Sequence, residues 1–248
     1  MAFRSQAQIG ALLILALGVP LAAAEPLVFH VRHRHLRNGA DGILRVSDDG
    51  IAFEESGKHK DDWRQWRFED IQQLTLGSEE LRIVTYKDRP WIVGHEQEFV
   101  FDRLPSDLAA QLYPIFSQRL DQRFVAALAD DQVKVSWEAP AKLAHWHGGS
   151  EGSIVVGSER VVFRADSPQQ SRTWRIGDID NVSSSSPFDL TITTFERAGA
   201  SYAGHKDFHF ALKRPLPEAE YSALWAKVNQ AKGLKILNSY PQQQGEKP

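Results

Sequence analysis

The 248-residue chain sets 29 Lys and Arg against 32 Asp and Glu, a formal net charge of −3, which excludes bulk electrostatic attraction to nucleic acid. It has no cysteine, so neither a disulfide framework nor a lipid-bearing cysteine is available. A hydrophobic content of 42% with seven tryptophans belongs to packed globular domains and not to a disordered chain.

Residues 1–24 are to be set aside. Arg4 precedes an apolar run from Ile9 to Leu17, and Gly18, Val19, Pro20 and Leu21 lead into Ala22-Ala23-Ala24. A basic start, an apolar stretch and a small-residue end make a secretory signal peptide, and the run falls short of the roughly 20 residues that span a bilayer. The mature chain is expected to begin at Glu25, outside the cytoplasm (periplasmic or secreted), with no further span.

Strand signals follow. Leu27 to Leu36 shows partial alternation, and Asn38-Gly39 and Asp41-Gly42 supply turn residues. Ile43-Leu44-Arg45-Val46 and Ile51-Ala52-Phe53 flank Asp48-Asp49-Gly50, a tight hairpin. Further strands are expected at Trp63–Phe68, at Leu74 and Leu76, at Leu81, Ile83 and Thr85, at Trp91-Ile92-Val93, and at Phe99-Val100-Phe101. Then comes a helix: Pro105 and Asp107 suit its first turn, and Leu108, Leu112, Ile115 and Phe116 mark its buried face. Pro114 predicts a kink or two helical pieces.

The same pattern then returns. Trp66-Arg67 with Asp70-Ile71 recurs 108 residues on as Trp174-Arg175 with Asp178-Ile179. Leu81, Ile83, Thr85, Phe99 and Phe101 recur 109 residues on as Leu190, Ile192, Thr194, Phe208 and Phe210. Gly42, Leu44, Val46, Ile51 and Phe53 recur 110 residues on as Gly152, Ile154, Val156, Val161 and Phe163. Pro217, Glu218 and Glu220 open a second helix, with Tyr221, Leu224, Trp225 and Val228 on its buried face. Repeats of roughly 100 residues are each long enough to bury a core of their own.

About seven antiparallel strands closed by one helix, twice over, resembles the pleckstrin-homology-like (PH-like) fold. In that family two nearly orthogonal sheets form a barrel and the helix plugs one end. Trp225 falls where the capping helix carries its aromatic, with Tyr113 as its partner in the first repeat. The resemblance implies a mainly β (α+β) protein: a first PH-like domain over 25–116, a helical connector over 117–130, a second PH-like domain over 131–232, and a flexible tail over 233–248. A single lipocalin-like barrel competes, but leaves unexplained why a helix closes each half. The PH-like fold hosts lipid binders, peptide binders and scaffolds alike.

Two residue clusters suggest sites. His33-Arg34-His35 and His145-Trp146-His147 stand near the end of the first strand of each repeat, and Gly94-His95 and Gly204-His205 precede the last strand. Residues two apart on a strand share a side, so His33, His35 and His95, or His145, His147 and His205, can offer three imidazoles to zinc, copper or nickel. The simpler reading is that duplication copied an exposed strand end and a turn. Arg32, Arg34, Arg37 and Arg45 crowd the first strand, its loop and the second strand. The family resemblance makes that the place where phosphates are held, although repeat two has Ala141, Lys142 and Val155 there and no lysine lies in the stretch. An anionic surface, lipid or polysaccharide, is the ligand this patch suggests; a solvated basic face is the plainer alternative.

There is no Gly-X-Ser-X-Gly elbow, no phosphate-cradling glycine loop and no His-Glu-X-X-His. The sequence therefore predicts a non-enzymatic, cofactor-free binding or scaffolding protein with a protein partner in the cell envelope. An anionic-surface binder and a metal-binding protein are the alternatives.

Overall fold

The computed structural model describes residues 25–34, 39–56, 63–90, 92–105, 107–120, 124–145, 148–196 and 205–233. The expected signal peptide, the residues from 234 onward, and His35, Arg37 and His147 lie outside them.

The chain runs β1 (Leu27–His33), β2 (Ala40–Val46), β3 (Gly50–Glu55), β4 (Trp63–Arg67), β5 (Ile71–Gly77), β6 (Glu80–Arg89), β7 (Ile92–Asp102) and α1 (Leu108–Arg119). After β8 (Phe124–Ala127) come β9 (Val135–Ala144), β10 (Gly149–Gly157), β11 (Arg160–Ala165), β12 (Arg172–Arg175), β13 (Ile179–Ser183), β14 (Asp189–Thr194), β15 (Lys206–Leu212) and α2 (Glu218–Ala231). All fifteen strands join one open sheet in the order β13-β14-β15-β9-β10-β11-β12-β8-β5-β6-β7-β1-β2-β3-β4. The protein is mainly β with two helices, which fits a PH-like α+β fold. Strand order on the two sides of β8 is the same once the repeat is allowed for.

Alternation decides which side chains enter the core. Phe29, Val31 and His33 of β1 point inward while Val28 and His30 are exposed, as the period of two requires. Two separate apolar clusters result, one built on residues 29–126 and one on residues 139–228. They are built alike. Trp66 packs on Phe99 at 4.9 Å and Trp174 on Phe208 at 4.8 Å, with Arg64 over the first phenyl ring at 4.8 Å and Arg172 over the second at 4.9 Å. The recurring Gly42 and Gly152 sit where strands approach closely: a Cβ would lie 2.5 Å from the Phe53 ring at the first and 2.1 Å from the Arg164 carbonyl at the second.

Three expectations change. The connector is helical only to Arg119; Leu120 is extended (φ −108°, ψ 130°), and Phe124–Ala127 is a strand. An aromatic and a β-branched residue suit a strand, and two sheet edges stand ready to bond it: β8 pairs parallel with β5 (Leu74 with Phe124) and antiparallel with β12 (Thr173 with Ala126). The segments around Ile92 and Phe99, expected as separate strands, are the single strand β7. α1 runs through Pro114 as one helix. No helix among the described residues is long and apolar enough to cross a membrane.

Candidate functional site

A cleft of about 890 Å³ opens between the two halves. Ala109, Ala110, Tyr113, Pro114, Ser117 and Gln118 of α1 form one wall; Arg160, Arg164 and Ala165 of β11, with Pro168, Ser171 and Arg175, form the other; Leu128 to Gln132 cross its floor.

Each wall is positioned by polar contacts across the junction. Arg175 ends β12, and the short turn Ile176–Asp178 folds Asp178 back onto it. Both carboxylate oxygens of Asp178 accept from the guanidinium, at 2.7 Å each. The remaining Nη1 donates to the carbonyl of Ser117 at 2.8 Å and to that of Leu120. These carbonyls close the last turn of α1, where a helix has no partners of its own and carries its negative end. Arg175 therefore caps a helix belonging to the other half. Burial raises the Asp178 carboxyl to about 6, against the pull of Arg175.

The floor is held in a second way. Thr173 Oγ1 donates to the Leu128 carbonyl at 2.8 Å and accepts from the Asp130 amide at 2.9 Å. The Asp130 carboxylate accepts from the Gln132 amide at 2.9 Å and from Arg160. Arg160 also stands over the Tyr113 ring at 5.5 Å. Tyr113 is 7% exposed, its Oη has no hydrogen-bond partner, and burial pushes its hydroxyl up to about 12. Arg164 Nε is likewise buried without a hydrogen bond; its nearest carboxylate, Asp131, is 3.9 Å away. Two donors are thus left inside a cleft whose other charges are mutually satisfied.

The histidines lie elsewhere. His33 is 3% exposed and stacks within the first core on Phe101 at 5.1 Å, with Phe53 at 5.4 Å and Phe99 at 5.9 Å. His95 is exposed on β7. His145 Nε2 is 2.6 Å from Ser150 Oγ, and His205 Nδ1 is 3.0 Å from an Asp180 oxygen. Among the described residues no group of three or more His, Cys, Asp or Glu side chains is placed to hold a metal ion. Strand register adds that His33 pairs with Phe101 whereas Leu143 pairs with Phe210, so the residue standing where His33 stands is Leu143. The two His-X-His runs are two residues out of step.

The described arginines of the first strands are occupied. Arg34 bonds both oxygens of Asp102, at 2.6 and 3.0 Å, and Glu80 at 3.2 Å, and these acids hold its pKa above the ordinary value. Arg45 bonds Glu54 at 2.9 Å, and Arg32 lies 3.6 Å from Asp41. Sequence reasoning passed over Tyr113, Asp130 and Arg160, which touch only through the fold. The one signal for the cleft was the repeated Trp-Arg-X-X-Asp, whose second copy supplies the helix cap.

No protein-family model matches the chain, and no curated protein matches it. Among solved structures it is similar to the Vps36 N-terminal PH domain (16% identity, TM-score 0.34, 43% of this chain and 86% of that one). It is also similar to the Spt16D Pob3N heterodimer (14% identity, TM-score 0.32, 77% of this chain and 98% of that one). A third is the C-terminal domain of an unknown protein from Leishmania infantum (10% identity, TM-score 0.30, 38% and 84%).

Proposed function

We propose that this is a non-catalytic binding or scaffolding protein, exported from the cytoplasm, made of two PH-like domains of seven strands and one helix each. It holds a protein partner of the cell envelope in the cleft between them. The observation that carries this is the cleft itself: about 890 Å³ at a junction of two cores, with Tyr113 Oη buried in its wall and left without a partner. Sites of that size favour such junctions, and a buried hydroxyl that can gain a bond rewards an entering carbonyl or carboxylate. Arg164 Nε offers a second donor to the same visitor. The arginines of the first strands support a protein over an anionic surface, because Arg32, Arg34 and Arg45 already face Asp41, Asp102 and Glu54.

The test is capture from envelope extract with tagged residues 25–248, beside Ala110→Trp, which fills the cleft from the exposed side of α1, and Tyr113→Phe. A protein retained by the wild type, weakened by Tyr113→Phe and lost with Ala110→Trp is the expected result. Equal retention by Ala110→Trp would move the site off the cleft. Recovery of lipid or polysaccharide alone, released by salt, would favour the anionic-surface alternative.

A further inference from the structure

The junction inside the chain shows how one half receives another. A terminal helix, the strand that follows it and a sheet edge meet there: β8 lies along β12, Arg175 bonds the carbonyls that end α1, and Tyr113 of α1 is covered by Arg160.

The first half carries the receiving side again, and among the described residues nothing occupies it. The repeat sets Trp63, Gln65 and Arg67 of β4 at the positions of Ser171, Thr173 and Arg175. Where Ser171 and Thr173 are 5% and 4% exposed beneath the other half, Trp63 is 60% exposed at the end of the sheet. The Arg67 side chain is 68% exposed and meets only the equally exposed Glu69 in an ion pair. The second half carries the donating side again. Trp225 stands next to Leu224 as Tyr113 stands next to Leu112, yet Trp225 is 44% exposed where Tyr113 is 7%. Residues Leu234-Lys235-Ile236-Leu237 follow α2 much as Phe124-Val125 follows α1.

We infer that a second copy of this chain docks head to tail: α2 and residues 234–239 of one copy seat on β4 of the next, repeating between molecules the junction that α1, β8 and β12 make within one. Ile236 and Leu237 supply the added strand, β4 supplies the unpaired main-chain edge, and Arg67 takes the role of Arg175 at the end of α2. Two exposed tryptophans, Trp63 and Trp225, are the apolar anchors such an interface requires. The opposite end of the sheet is already covered: the Asp180 and Val182 carbonyls of β13 accept from Lys232 and Tyr221 of α2. Only the β4 end is open, so the contact joins two different surfaces, and such contacts propagate into rings or filaments.

Sedimentation velocity on residues 25–248 tests this, with an acceptor variant (Trp63→Glu with Arg67→Glu) and a donor variant (Ile236→Glu with Leu237→Glu). The wild type should assemble as concentration rises, and each variant alone should stay monomeric. Mixed in equal amounts, the two variants should form a complex of two copies and no larger, since each retains one intact surface. A circular-dichroism melt confirms folding, and Arg67→Glu alone replaces the acceptor pair if that pair does not fold. A wild type that stays monomeric throughout would overturn the inference, as would assembly that survives both variants. Loss in the acceptor variant alone would also overturn it, in favour of β4 pairing with β4. None of the four substituted positions lines the cleft, so capture at the cleft and self-assembly succeed or fail separately.

Discussion

The two halves carry the same Trp-Arg-X-X-Asp motif and put it to different uses. In both, the tryptophan is buried against two phenylalanines of the last strand: Trp66 on Phe99 and Phe101, Trp174 on Phe208 and Phe210. The arginine one residue on diverges. Arg67 lies in solvent, while Arg175 is 20% exposed, gripped by Asp178 and bonded to the end of α1. The difference teaches that a repeated motif fixes what faces its own core, whereas what faces outward depends on the neighbour it meets.

The sameness of the cores predicts the largest effects. Phe101→Ala and Phe210→Ala should each cost about 3–5 kcal/mol in chemical denaturation. A much smaller loss in one half would break the equivalence of the two cores. The outward arginines should separate sharply. Arg175→Ala strands the buried Asp178 and should cost about 3–5 kcal/mol, while Arg67→Ala should stay within about 0.5 kcal/mol of the wild type. Equal losses would mean that the helix cap contributes nothing special.

Acidity sharpens the same contrast. The folded pKa of Asp178, about 6, lies above its ordinary 3.8, so folding favours the protonated carboxyl. Its contribution is complete below 3.8 and is lost as pH rises through about 6. Asp178→Asn should therefore flatten the pH dependence of stability across that window, by on the order of 2 kcal/mol; an unchanged slope in urea melts at several pH values would assign the dependence to other groups. The smallest effect is expected at His33→Leu. The second half places Leu143 at that position, so the change should cost less than about 1.5 kcal/mol. A larger loss would show that the imidazole does something in the first half that the duplicated core does without.

Much of the fold was legible because it is local or repeated. Alternation marked Leu81, Ile83 and Phe101 as inward-facing, the glycine of Asp48-Asp49-Gly50 marked a hairpin closed by the Ser47 amide on the Gly50 carbonyl at 3.0 Å, and apolar spacing marked both helices. The connector was misread because the apolar spacing of Leu120 and Phe124 continues the pattern of α1. Two open sheet edges competed for that segment, and sequence cannot see an edge. His33 was read at a strand end beside His35, yet the period of two turns it inward with Val31 and Phe29.

The sequence by itself determined the duplication, the strand-and-helix order of each half and the apolar faces, because these follow from side-chain periodicity and turn chemistry. Only the tertiary structure decided that β8 would join the halves into one sheet, that Arg175 and not Arg67 would cap a helix, and that Tyr113 would be buried in a cleft while Trp225 stayed exposed. The physical reason is that each depends on main-chain hydrogen bonds and burial between segments far apart in the chain, and a copied motif carries no record of which neighbour will supply them.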